Sequence, residues 1–146
     1  MVNLPIEYSS KPVTPFGGMS LMKRFVDQVG IREELDSLPL PQPGSNRGYD
    51  PKQVIESFWL SIWTGASRYI HCDWLRYDKV LQSIFGWQCM PSQSTYSRFF
   101  GKFSQGLNTE VFPALQHWFF DQINTGALTI DFDSTDINRY GEHQGR

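Results

Sequence analysis

The feature that most constrains this chain is a change of hydrophobic period at Gly126. Before it, apolar residues recur at three- and four-residue steps, the signature of helices that bury one face. After it, Ala127-Leu128-Thr129-Ile130-Asp131-Phe132-Asp133 alternates, with Ile130 and Phe132 on one side and Thr129, Asp131, Asp133 and Thr135 on the other. A strand needs neighbours to satisfy its backbone groups. The residues that follow offer only the stretch around Ile137-Asn138-Arg139-Tyr140 as a partner. The sequence therefore predicts a mainly α chain. A helical region over 1–126 runs into the start of a sheet over 127–146, and that sheet is not completed within these residues.

The helical region divides at its Pro, Gly and capping residues. Pro5, Pro12 and Pro15 keep the first fifteen residues extended. Leu21, Met22, Phe25, Val26 and Val29 predict a helix over Met19 to Val29, which Gly30 can close. A second short helix spans Ile31 to Leu38, and Pro39, Pro41, Pro43 and Gly44 turn the chain into a surface loop up to Tyr49. Asp50-Pro51 is an N-cap followed by a first-turn proline. The helix it starts runs to about Thr64 and is expected to bury Val54, Ile55, Phe58, Trp59 and Ile62. Another is expected from near Asp73 to Gly86, with Trp74, Tyr77, Leu81, Ile84 and Phe85 inside. Ser92 caps a helix from Gln93 to about Phe103, and Asn108 starts the last, Thr109 to Asn124, with Pro113 near its beginning.

Composition bears on function by exclusion. The chain is 40% hydrophobic and 15% aromatic, which excludes disorder. No apolar run approaches the roughly 18 residues that would span a bilayer. Met1-Val2-Asn3-Leu4-Pro5 lacks the cationic and apolar regions of a secretory signal. A cytoplasmic location is expected. The 13 Lys and Arg against 15 Asp and Glu exclude one large basic surface. They leave room for a local one: from Lys79 to Asn108 there is no acid, while Lys79, Arg98 and Lys102 are basic. Cys72 and Cys89 have no metal-ligand spacing with His71, His117 or His143 and read as two buried, reduced thiols.

Two constellations could carry chemistry. In Pro91-Ser92-Gln93-Ser94-Thr95-Tyr96-Ser97-Arg98-Phe99-Phe100-Gly101-Lys102-Phe103, the aromatics share one helical face. Ser94, Arg98, Gly101 and Lys102 share the other. With the preceding helix and turn this makes a helix-turn-helix-like part over about 73–104, whose second helix could offer hydroxyls and cations to DNA. A packed helix with a wet polar side has the same pattern. In the second constellation, Asp131 and Asp133 lie on one strand face, roughly 7 Å apart along the strand. Either could give oxygen to Mg²⁺, although a strand running into solvent also carries Asp and Ser.

These same residues carry a resemblance. Leu128-Thr129-Ile130-Asp131-Phe132-Asp133-Ser134-Thr135, followed by Asn138-Arg139-Tyr140-Gly141-Glu142-His143-Gln144-Gly145, resembles the first catalytic-strand motif of DDE transposases from bacterial insertion sequences. Leu75-Arg76-Tyr77-Asp78 and Pro91 through Phe99 resemble the helical N-terminal region of the same proteins. The resemblance implies a helical DNA-binding region followed by an RNase H-like α/β catalytic domain, here truncated. It implies that Asp133, in its D-S-T context, is the first catalytic and Mg²⁺-binding residue, with Asp131 the fallback. It also implies double-stranded DNA, the transposon terminal repeats, as partner, held through Ser94, Arg98 and Lys102 with Thr95 and Ser97 as lesser contacts. A homodimer is compatible with it. The family's two further acids lie downstream of its first strand and do not occur here. The chain therefore reads as the N-terminal portion of such a transposase, inactive alone because one carboxylate cannot hold two Mg²⁺ ions. Two alternatives stay open at this point: a DNA-binding regulator derived from a transposase, and a helical remnant or interaction domain.

Overall fold

The computed structural model describes residues 10–123 and Gly126, and every regular element among them is helical. The expected strand over 127–133, with Asp131 and Asp133, lies outside the described residues. Residues 10–14 form no helix, in keeping with Pro12 and Pro15, and the rest of the expected extended stretch, 1–9, lies outside the described residues.

Helix α1 spans Met19–Val29 and α2 spans Ile31–Ser37. Gly30 between them has φ 70°, the left-handed conformation that ends one helix and lets the next begin at once. α3 spans Pro51–Trp63, and the Asp50 carboxylate accepts from the Lys52 backbone N–H at 2.9 Å. The expected single helix over 73–86 is two pieces instead, a 3-10 helix over Asp73–Tyr77 and α5 over Lys79–Phe85, preceded by a short α4, Tyr69–Cys72. The break has a physical cause in Asp78. Its backbone is extended, and its side chain accepts from the N–H groups of Val80 and Leu81 at 3.0 and 2.9 Å, so it starts a new helix rather than continuing an old one. Its other oxygen accepts from the Thr14 hydroxyl at 2.6 Å and ties down the N-terminal segment. Trp74 and Tyr77, expected inside, are 68% and 82% exposed because the 3-10 helix turns them outward.

α6 spans Gln93–Phe100, ending three residues before the expected Phe103. α7 spans Gln105–Asp121, starting four residues before the expected Thr109. Ser104 is its cap, accepting from the Leu107 N–H at 3.1 Å, and Pro113 sits inside the helix on its exposed side.

α3 is the spine of two apolar cores. Val54 and Ile55 join Leu35, Cys72, Tyr96, Phe99 and Val111 in the first. Leu60 joins Leu75, Leu81, Phe85, Trp87 and Met90 in the second, with Phe16 and Met19 packed against it. Ile62, expected in the core, is 49% exposed. The buried face of α3 runs instead through Glu56, Ser57, Leu60 and Ser61. Both hydroxyls donate back to helix carbonyls, Ser57 to Val54 at 3.1 Å and Ser61 to Ser57 at 2.8 Å, which lowers the cost of burying them. Cys72 is buried as expected. Cys89 is not: it is an exposed free thiol in the loop before α6.

Candidate nucleic-acid interface

The orientation of α6 is set by its aromatic side. Tyr96 is fully buried and its hydroxyl donates to Ser57 Oγ at 3.0 Å. The Phe58 ring lies 5.6 Å from Tyr96 and 4.9 Å from Phe100, and Phe99 meets Phe103 edge-on at 5.7 Å. Burial holds the Tyr96 phenol neutral by pushing its pKa well above the ordinary tyrosine value. With that side locked, the opposite side faces water: Ser94, Ser97, Arg98, Gly101 and Lys102 are exposed and Thr95 is half-buried. All five residues expected to touch DNA are thus on or beside one accessible strip. α6 packs mainly on α3 and α4, whereas α5, the expected first helix of the pair, packs on α1.

The N-terminus of α6 is capped from a distance. Asp73 Oδ1 accepts from the Gln93 backbone N–H at 2.9 Å. Ser92 stands at the cap position without bonding the backbone; its hydroxyl is instead 2.9 Å from that of Ser94 and 3.1 Å from that of Thr95. A carboxylate already occupies this end of the helix, whereas the exposed cations Arg98 and Lys102 stand at its other end.

At that far end the loop after α2 forms a facing wall. Residues 41–49 and α6 enclose a cleft of 450 Å³, lined among others by Arg47, Tyr49, Thr95, Arg98 and Lys102 and, among the described residues, by no carboxylate. Lys102 Nζ donates to the Gln42 carbonyl at 2.7 Å. The Tyr49 hydroxyl donates to the Met90 carbonyl at 3.1 Å, and partial burial together with the Cys89 thiol pushes its pKa up to about 12. Among the described residues Arg98 and Arg47 have no ion pair, while Lys23, Arg32, Lys52 and Arg76 pair with Asp27, Glu56, Asp36 and Asp73. Sequence reasoning missed Arg47, because a residue in a Pro/Gly-rich loop carries no periodicity that points to its neighbours in space.

A second groove is apolar. Phe25 of α1, Trp59 and Trp63 of α3, and Phe112, Leu115 and Phe119 of α7 line 530 Å³, with no charged residue among the described ones. No helix among the described residues is long and apolar enough to cross a membrane.

Among the described residues no group of three or more His, Cys, Asp or Glu is placed to hold a metal. Asp133 and its neighbour Asp131 lie outside those residues. Their carboxylate oxygens are nonetheless the hard donors that Mg²⁺ takes, so the chemistry of the donors fits that ion.

A model of the family described as "Transposase DDE domain group 1" matches residues 3–146. No curated protein and no solved structure matches the chain.

Proposed function

The chain belongs to the transposase DDE domain group 1 family, and from that premise we propose that it is the N-terminal portion of a DDE transposase that holds transposon-end DNA on α6. The observation that carries this reading is the strip Ser94, Ser97, Arg98 and Lys102, exposed to solvent while the aromatic face opposite packs into the core. Its hydroxyls and cations are the donors that bind phosphate oxygens and base edges. The helical region over 1–126, with its DNA-binding part at about 73–104, positions the duplex. Residues 127–146 open the RNase H-like catalytic domain.

In that domain Asp133 is the first catalytic carboxylate and the Mg²⁺ ligand, with Asp131 beside it. Mg²⁺, when bound, polarises a phosphoryl oxygen and lowers the pKa of its water. Asp133 holds it by charge, which an amide would not supply. One carboxylate cannot hold two Mg²⁺ ions, so cleavage needs the further acids of the family's site.

The apolar groove of α1, α3 and α7 favours a second reading, a helical protein-interaction domain. One experiment separates the two. Duplex DNA is titrated into the labelled chain while backbone amide shifts are followed. The transposase reading expects shifts along α6 and in residues 41–49. Shifts confined to α1 and α7, or none at all, would overturn it.

A further inference from the structure

Arg47 stands in a segment that sequence periodicity leaves blank, yet the fold places it in the same cleft as Arg98 and Lys102. We propose that residues 41–49 form the second wall of the DNA site, with Arg47 binding backbone phosphate opposite Arg98. This inference rests on the reading of α6 as the DNA-binding helix and extends it to a loop that reading does not contain.

Three observations make the loop a built wall rather than a loose flap. It is anchored at its start, where Lys102 Nζ holds the Gln42 carbonyl at 2.7 Å. It is anchored at its end, where the Tyr49 hydroxyl holds the Met90 carbonyl at 3.1 Å. Between these points it closes on itself: Gly48 N–H donates to the Ser45 carbonyl at 3.0 Å, and a Cβ at Gly48 would come within 2.2 Å of the Pro43 Cβ. Only glycine permits that approach, and it fixes the backbone on which Arg47 is carried. Little ordering entropy is then left to lose when a ligand arrives.

The charge of the cleft points to its ligand. Among the described residues three cations line it and no carboxylate does, in a chain whose acids outnumber its bases. The guanidinium groups of Arg47 and Arg98, without an ion pair among the described residues, present a planar fork of donors suited to phosphate oxygens. Lys102 spends one of its three N–H groups on Gln42 and keeps two for a phosphate. The shape is an open cleft between a helix and a loop, and it suits an extended polyanion, the sugar-phosphate backbone of duplex DNA.

The test measures the affinity of the chain for a fluorescently labelled, mixed-sequence duplex across a salt series. Each phosphate contact contributes about 0.9 to the slope of log affinity against log salt. Arg47→Ala and Arg98→Ala should each flatten that slope by about this amount, and Arg47→Lys should largely retain it. Arg24→Ala, an exposed cation of α1 that does not line the cleft, should leave it unchanged. If Arg98→Ala flattens the slope and Arg47→Ala does not, the second wall is wrong while the α6 reading stands. If Arg24→Ala acts as strongly as Arg47→Ala, the effect is diffuse charge and the cleft is not the site. If the unaltered chain does not bind the duplex, both fall.

Discussion

Asp73 caps a helix it does not belong to: its carboxylate accepts from the Gln93 N–H at 2.9 Å, across twenty residues of chain. The bond joins the 3-10 helix to the start of α6 and so positions the strip that carries Arg98. Loss of a capping acceptor typically costs about 1 kcal/mol. Asp73→Ala should therefore lower stability by about that amount in a urea melt, and Asp73→Asn, which keeps an acceptor oxygen, should lower it less. DNA affinity should move the other way in Asp73→Asn, because the carboxylate repels phosphate at the helix end. A stability unchanged by Asp73→Ala would mean that α6 is placed by its aromatic face alone.

The buried hydroxyl of Tyr96 gives a second test. Tyr96→Phe removes its bond to Ser57 and should cost about 1 kcal/mol. Tyr96→Ala also opens a cavity between α3 and α6 and should cost about 3–5 kcal/mol. Thermal or urea melts of the two variants measure the difference.

Much of this scaffold is legible in the sequence, and the failures share a cause. α1 and α3 are bounded by residues whose chemistry is local: Gly30 can enter the left-handed region, and Asp50-Pro51 caps and starts a helix. The interruption of 73–86 is less visible, because Asp78 reads equally well as a polar residue on one long helix. The core side of α3 is hidden for another reason. Hydropathy ranks Ile62 above Ser57 and Ser61, yet the serines face the core because they are small and satisfy their own hydroxyls, which lets Tyr96 and Cys72 close in. For the site, the face of α6 is readable from helical spacing. The cleft is not, since Arg47 and Arg98 are brought together only by tertiary contacts.

The Arg32–Glu56 pair predicts a large asymmetry between its variants. Glu56 is 2% exposed and both its oxygens accept from the Arg32 guanidinium, whose pKa is raised mainly by that hydrogen bond. Arg32→Ala leaves a buried carboxylate without its partner and should cost about 3 kcal/mol, toward the lower end for broken buried pairs since Arg32 is part-exposed. Replacing both residues by Met should cost much less. A double-mutant cycle from urea melts reads the coupling.

Alkaline pH should destabilise the fold through two tyrosines. The folded-state pKa of Tyr49 is raised to about 12 by burial and by Cys89, and that of Tyr96 is raised by burial. An unfolded tyrosine titrates near 10, so above that pH the unfolded chain releases protons that the native chain retains. The stability they protect is whole below about pH 10 and declines as pH climbs toward the folded values. Urea melts through this window should show the decline, and Tyr49→Phe and Tyr96→Phe should each make it shallower.

The proposed metal ligand is tested in a DDE transposase that carries this sequence together with the family's further acids. Asp133→Asn keeps the shape of the side chain and removes the charge that holds Mg²⁺, so DNA cleavage should be abolished with DNA binding intact. Asp131→Asn should do less. Loss of cleavage with Asp131→Asn and its retention with Asp133→Asn would move the catalytic role two residues back along the chain.

Whether α6 holds DNA is tested most directly by Arg98→Glu. Arg98 is exposed and has no ion pair among the described residues, so reversing its charge should leave the melting temperature near that of the unaltered chain. The same change removes one phosphate contact and sets a carboxylate against the duplex. Fluorescence anisotropy with a labelled duplex at low salt should show binding by the unaltered chain and at least a tenfold loss, roughly 1.4 kcal/mol, in the variant. A variant that folds and binds as tightly as the unaltered chain would contradict α6 as the DNA-binding helix.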